Sequence, residues 1–142
     1  MKYFIILHLY FPGNMNNHFE TVDLSYLEEI SGGDVSFQKE LIEIFLNQIP
    51  EFVSNMQEFH SKNESEFLAK EAHTAKSSVL IFMMHETGND LKQIQLLAEN
   101  NQSEEIPELL IKVEQALECA FTELTHFLNG KTVLSELKTG SN

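Results

Sequence analysis

Cysteine is almost missing from this 142-residue sequence, in which Cys119 is the only one. A single thiol excludes an internal disulfide framework, a Cys-x-x-Cys redox pair and a thiolate cluster for a metal ion. The sequence also lacks a Gly-x-x-x-x-Gly-Lys loop, a glycine-rich nucleotide-binding motif and a Ser/His/Asp set. We therefore expect a protein without a cofactor that neither binds ATP nor phosphorylates itself, in the reducing environment of the cytoplasm.

Basic residues are scarce as well. Nine Lys plus Arg against 22 Asp plus Glu give the chain a formal net charge of −13. A field of this sign repels the phosphates of nucleic acids and the headgroups of anionic lipids. We therefore expect neither a nucleic acid nor a membrane among the partners of this protein.

Long apolar runs are also absent. The first eleven residues, MKYFIILHLYF, are too short to span a bilayer, and they lead into Pro12-Gly13 without a small-x-small cleavage pattern. We predict that residues 1–19 are an extension outside the fold, with Met15 as a natural start. A secretory signal is the alternative interpretation of the same segment.

What the sequence does contain is helical periodicity. Apolar residues recur at steps of three and four and never alternate with a period of two over a useful length, which predicts an all-α fold. Four long amphipathic helices joined by short loops pack most simply as an antiparallel four-helix bundle. We expect this bundle, with a short additional N-terminal helix, to occupy residues 20–130, and residues 131–142 to form a flexible C-terminal tail.

Caps and breakers predict where each helix begins and ends. The first helix covers residues 23–30 and ends at Gly32-Gly33. The second begins at Asp34, has a kink at Pro50 and ends near Phe59, before a break at residues 61–63, and its apolar stripe includes Phe37 and Ile44. The third begins with a capping box of Asn63 and Glu66 and ends before a turn at His85 to Asn89. The fourth is marked by apolar residues between positions 91 and 98 and ends at residues 100–101. The fifth starts near Ser103, with Pro107 in its first turn, and ends at Gly130.

The third helix has two distinct faces. At about 100° per residue its apolar residues fall in one arc that must face the core, and His73 points well away from that arc. Lys76 lies beside His73, and the small residues Ala69 and Ser77 lie one turn to either side. Small neighbours leave the imidazole accessible to another protein. The core arc consists of Leu68, Ala72, Ala75, Val79 and Phe82.

This arrangement suits phosphorus chemistry. An imidazole nitrogen with a free lone pair is a nucleophile toward phosphorus, and the phosphoramidate product needs nearby positive charge. Lys76 is placed to supply that charge. The hydroxyl of Ser77 either adds a hydrogen bond to the phosphoryl group or bonds to its own helix backbone.

A candidate docking surface surrounds this histidine. It consists of Ala69, Lys70, Leu80 and Met84, of which the last two are apolar residues on or near the outer arc. Exposed apolar clusters beside a site often mark partner surfaces. Leu80 and Met84 either belong to such a patch or pack against a neighbouring helix, and the sequence favours neither interpretation.

The run AHTAKSS at residues 72–78 resembles the phosphorylation motif of histidine phosphotransfer (HPt) domains, in which a helical histidine is followed three residues later by lysine and then by small residues. DLSYL at residues 23–27, the Gly-Gly-Asp break at 32–34 and FLNQIPE at 45–51 are also similar to the opening helices of that family. The resemblance therefore covers roughly residues 20–128 of this chain.

This resemblance implies a phosphoryl relay between receiver-domain aspartates, in which His73 is phosphorylated, Lys76 is its charge partner and Ser77 is the small neighbour. It implies a carrier rather than an enzyme, a receiver domain of a response regulator or hybrid histidine kinase as partner, and magnesium held by that partner only. We expect a monomer. Ser77 and Met83 stand where family members often have glycine. The alternative function is a helical interaction module that binds a signalling partner without carrying phosphate.

A metal site is the other alternative that the sequence raises. Glu123 and His126 have the Glu-x-x-His spacing of di-iron bundles. Such sites need a second pair of this kind and further carboxylates from other helices, and the sequence contains no second pair. We therefore expect no metal ligands in this chain.

Overall fold

The computed structural model describes residues 20–139, with side chains through residue 130, so the predictions for residues 1–19 lie outside it. The described residues contain no strand, which confirms the all-α class. Within them, no helix combines the length and hydropathy needed to cross a bilayer. The helices are α1 (Ser25–Ser31), α2 (Val35–Ser61), α3 (Ser65–Ile81), α4 (His85–Glu99) and α5 (Ile106–Thr139).

The helices enclose one hydrophobic core. Helix α2 packs on α3, α3 on α4, α4 on α5, and α5 again on α2, while α1 packs on α2. The closest pair is α3 and α4. Every residue of the predicted core arc of the third helix is buried, because the apolar stripe of each long helix is covered by its neighbours. Residues 20–130 thereby bury or partly bury most of their large apolar side chains, and this removal from water is the main favourable contribution to folding.

The first two helices begin and end largely as their local signals predict. Gly32, at φ 60°, occupies the left-handed conformation that ends α1. The Asp34 carboxylate caps α2 by accepting a hydrogen bond from the Phe37 N–H at 3.2 Å. The helix continues through Pro50 without interruption. Two residues of the predicted apolar stripe of α2, Phe37 and Ile44, are exposed. The buried face of this helix instead contains Ile42 and Phe45.

Three turns between the long helices share one geometry, in which a non-glycine residue adopts the left-handed conformation: Asn63, Met83 and Asn101, with φ between 53° and 56°. In each turn, the backbone N–H of the residue after the left-handed one donates to the carbonyl oxygen five residues earlier, as in a Schellman motif. The predicted capping box at Asn63 is therefore wrong, since Asn63 ends α2 and α3 begins at Ser65 without a side-chain cap. The predicted turn at His85 is also wrong, because the chain reverses at Met83 and α4 has already begun at His85.

Met83 is the least suited of these residues to its conformation, because asparagine tolerates the left-handed region better than a long side chain does. We expect Met83→Gly to raise the free energy of unfolding by about 0.5–1 kcal/mol, the relieved strain exceeding the greater flexibility of glycine. Chemical denaturation of both proteins measures this difference. Met84→Gly is the matched control, and it should lower stability by at least about 2 kcal/mol because the Met84 side chain is buried. A loss of stability in Met83→Gly would contradict the strain at this turn.

Helix α5 begins close to its predicted start and continues beyond its predicted end. It begins at Ile106, with Pro107 in the first turn, and its residues Val113, Leu117 and Leu124 are fully buried. It continues past Gly130 to Thr139, so the predicted end at Gly130 is wrong. Glycine inside a helix costs about 1 kcal/mol relative to alanine, which weakens a helix without ending it. That residues 131–142 form a flexible tail stays a prediction.

Candidate functional site

His73 lies in the middle of α3 with its side chain exposed to solvent. Its neighbours Ala72 and Ala75 are fully buried, so the register of α3 against the core directs the imidazole outward. The prediction that His73 points away from the core is confirmed. The ring is therefore accessible to another protein from the solvent side.

One nitrogen of the His73 ring has a partner on the neighbouring helix. The Nδ1 atom lies 3.3 Å from the Oε1 atom of Gln95, which belongs to α4. A carbonyl oxygen only accepts hydrogen bonds, so with the amide in this orientation Nδ1 is the donor and carries the ring proton. The lone pair of the neutral ring is then on Nε2, which has no hydrogen-bond partner among residues 20–130. Gln95 was not among the predicted site residues, because nothing in the sequence brings together two residues 22 positions apart.

Lys76 is half-buried on the same helix, three residues after the histidine. A Cβ atom added at Gly88 would lie 3.9 Å from Lys76 Cγ, so the aliphatic stem of the lysine passes over that glycine of α4. Within the described part of the chain, the Lys76 ammonium forms no ion pair, whereas the ammonium groups of Lys62, Lys70 and Lys112 do. No carboxylate among residues 20–130 therefore pairs with the ammonium of Lys76, which lies one helical turn from His73.

Ser77 uses its hydroxyl within the helix. The Oγ atom donates to the backbone carbonyl of His73 at 3.3 Å, which is the second of the two interpretations that the sequence allowed. The Thr74 hydroxyl donates in the same manner to the carbonyl of Lys70, at 3.0 Å. Ser77 therefore contributes a small, compact neighbour to His73, and its hydrogen bond to a phosphoryl group stays a prediction.

A groove of about 690 Å³ opens between α3 and α4 next to His73. Ala69 and Ala98 are the buried residues of its lining, and because Ala69 is only 5% exposed, its prediction as part of an exposed docking surface is wrong. Both alanines are buried because the small side chains allow α3 and α4 to approach closely. The remaining lining is polar and charged: Ser65, Glu66, Lys70, His73, Thr74, Gln95, Glu99 and Asn101.

The other predicted docking residues differ in exposure. Lys70 is exposed and forms a 3.5 Å ion pair with Glu66, a surface pair of little energetic weight. Leu80 is 38% exposed and also contacts α4, since a Cβ atom at Gly88 would meet its Cδ2 at 3.0 Å. Met84 is only 3% exposed, because its side chain enters the core at the start of α4. The prediction of Met84 as part of an exposed patch is therefore wrong.

Glu123, one of the two residues of the alternative metal site, has a structural role. Glu123 accepts a hydrogen bond from the Thr21 N–H at 2.9 Å and thereby holds the segment before α1. In the described part of the chain, no group of three or more His, Cys, Asp or Glu side chains is placed to hold a metal ion.

Burial, with the carboxylates of Glu123 and Glu118 nearby, raises the pKa of the Cys119 thiol and makes it a poor nucleophile.

Comparison with protein-family models, with curated proteins and with solved structures found no match for this chain. Its function must therefore be inferred from the residues of the site. The structure brings together the outward imidazole of His73, the amide of Gln95 and the groove between α3 and α4, whereas Lys76 lies one helical turn from His73 and does not line that groove.

Proposed function

We propose that this protein is a histidine phosphotransfer protein that carries a phosphoryl group on His73 between the aspartates of receiver domains. The observation that carries the proposal is the accessible imidazole whose Nδ1 is held by Gln95, so that its Nε2 lone pair faces solvent. The closed ring of contacts from α2 through α5 supports an antiparallel four-helix bundle with α1 as the short additional helix. The residues at 72–78 that resemble the family motif lie on the surface helix that such a carrier requires.

The transfer step needs only nucleophilic attack. A receiver presents an aspartyl phosphate, the Nε2 lone pair of His73 attacks the phosphorus in line, the N–P bond forms, and the P–O bond to the aspartate breaks to release its carboxylate. The ring keeps its Nδ1 proton and gains positive charge, which strengthens the hydrogen bond to Gln95 Oε1. The Lys76 ammonium offsets the charge of the phosphoryl oxygens. The reverse sequence passes the phosphoryl group to a second receiver.

Magnesium belongs to the partner in this proposal. Mg²⁺ is held by carboxylates and phosphate oxygens, and the groove beside His73 offers only Glu66 and Glu99, of which one is paired with Lys70. The receiver therefore supplies both the phosphate and the metal ion, and this chain supplies the nucleophile and a cation. This division of roles describes a carrier without its own catalytic centre.

The decisive experiment is incubation of the full chain with a receiver domain phosphorylated on its aspartate. We expect label on this protein that is lost in acid and retained in alkali, as a phosphoramidate requires, and that returns to a fresh unphosphorylated receiver. Native mass spectrometry would follow the added phosphoryl mass. Binding of the receiver without any transfer of label would instead support the interaction module.

Lys76→Ala should slow phosphoryl transfer from the receiver by roughly tenfold to a hundredfold. This factor corresponds to the loss of one charged hydrogen bond to the phosphoryl group in the transition state. Rapid-quench kinetics with the phosphorylated receiver measure this rate. Lys62→Ala is the control, because it removes the same charge from an exposed residue that is already paired with Glu58. Equal transfer rates for both variants would remove Lys76 from the mechanism.

A further inference from the structure

We propose that Glu99 is a positioning residue, which orients the amide of Gln95 and thereby sets the tautomer of His73. This inference rests on the proposed function, because it assigns a role at the same imidazole. Three side chains form a chain of hydrogen bonds across α3 and α4. Gln95 Nε2 donates to Glu99 Oε1 at 2.9 Å, and His73 Nδ1 lies 3.3 Å from Gln95 Oε1, within hydrogen-bonding distance.

The carboxylate decides which way the amide faces. A glutamine amide has one donating and one accepting end, and the two ends can exchange by rotation of the side chain. An ionised carboxylate can only accept, so the NH₂ group of Gln95 must face Glu99. The carbonyl oxygen of Gln95 is then left facing His73. The negative charge of Glu99 thus fixes the polarity of a neutral amide that by itself would present either end.

The orientation of the amide has a chemical consequence at the histidine. When Gln95 presents its oxygen, Nδ1 of His73 must carry the proton, and the lone pair of the neutral ring is on Nε2. When Gln95 presents its NH₂ group, Nδ1 becomes the acceptor and Nε2 carries the proton. The second arrangement has no lone pair at the exposed nitrogen and cannot attack phosphorus from the solvent side.

Helix geometry makes Glu99 suited to this role. Gln95 and Glu99 lie four residues apart on α4, so their side chains are neighbours on one helix face. Both line the groove beside His73, and Glu99 is exposed, so its charge carries little cost of burial. A partner that covers the groove would exclude water from this chain of hydrogen bonds and strengthen its electrostatic control of the ring.

Reversal of the charge at position 99 tests the proposal. In Glu99→Lys the ammonium can only donate, so Gln95 should turn its oxygen toward position 99 and its NH₂ group toward His73. Two-dimensional ¹⁵N–¹H correlation of the His73 ring, recorded on unphosphorylated protein at a pH where the imidazole is neutral, distinguishes the two tautomers. We expect the Nδ1–H form to dominate in the wild type and the Nε2–H form to gain population in Glu99→Lys, with a loss of transfer rate of roughly tenfold.

Two further variants separate orientation from charge and from folding. Glu66→Lys makes the same charge change in the same groove without touching Gln95, and it should leave the tautomer unchanged. Glu99→Gln removes the charge but can still accept through its amide oxygen, and it should retain the wild-type tautomer as its major form. An unchanged tautomer in Glu99→Lys, or the same shift in Glu66→Lys, would overturn the proposal. Because this measurement needs no receiver, it can fail while the carrier function stands, and it can succeed while phosphoryl transfer is absent.

Discussion

His73→Gln should accept no acid-labile phosphate from a phosphorylated receiver, whereas the wild-type chain becomes labelled within the same assay. Glutamine is close to histidine in size and suits a helix, and its amide nitrogen has no lone pair available for attack on phosphorus. The substituted side chain is exposed on α3, so the fold and its stability should change by less than about 0.5 kcal/mol. The measurement is the phosphoryl mass added per chain, with circular dichroism to confirm unchanged helicity.

A second histidine provides the control for this variant. His85 is also exposed, at the first position of α4, and it has no place in the groove beside His73. His85→Gln should therefore be labelled like the wild type. Label that persists in His73→Gln, or that disappears in His85→Gln, would assign the phosphoryl group to a residue other than His73.

The largest expected change in stability is at the aromatic pair of the core. The rings of Phe45 and Phe82 stack with their centroids 4.4 Å apart and their planes at 14°, and both side chains are buried. The pair joins α2 to the turn after α3, where the Phe82 carbonyl also accepts a hydrogen bond from the Asp23 N–H at 3.0 Å. Phe45→Ala should lower the free energy of unfolding by about 3–5 kcal/mol, because it removes buried area and leaves a cavity beside Phe82. Urea denaturation followed by circular dichroism measures the loss.

The same substitution on the surface separates burial from aromatic contact. Phe67 is 55% exposed and has its own aromatic contact, with Phe59 at a centroid distance of 5.6 Å. Phe67→Ala should cost at most about 1.5 kcal/mol, the usual value of an aromatic pair. A cost for Phe45→Ala no larger than that for Phe67→Ala would show that the core tolerates the cavity, and would contradict the packing described for the turn after α3.

Much of the fold can be predicted from the sequence because its determinants are local. The core arc of α3, the cap at Asp34 and the left-handed end of α1 at Gly32 each depend on residues within one or two helical turns. The capping box predicted at Asn63 and the turn predicted at His85 are wrong for a different reason. Asn63 and Met83 lie in left-handed conformations that end one helix, and asparagine signals a cap as readily as an end while methionine signals neither.

The site likewise contains residues that can be predicted from one helix and contacts that depend on the packing of two helices. Helical periodicity on one segment determines that His73 faces outward and that Lys76 lies beside it, so these two residues follow from the sequence alone. The contact between His73 Nδ1 and the accepting carbonyl oxygen of Gln95 depends on how α3 and α4 pack together. The burial of Met84 is likewise decided by its neighbours from other helices. Sequence spacing sets which residues share a helix face, but only the packing of two helices brings side chains 22 positions apart within hydrogen-bonding distance.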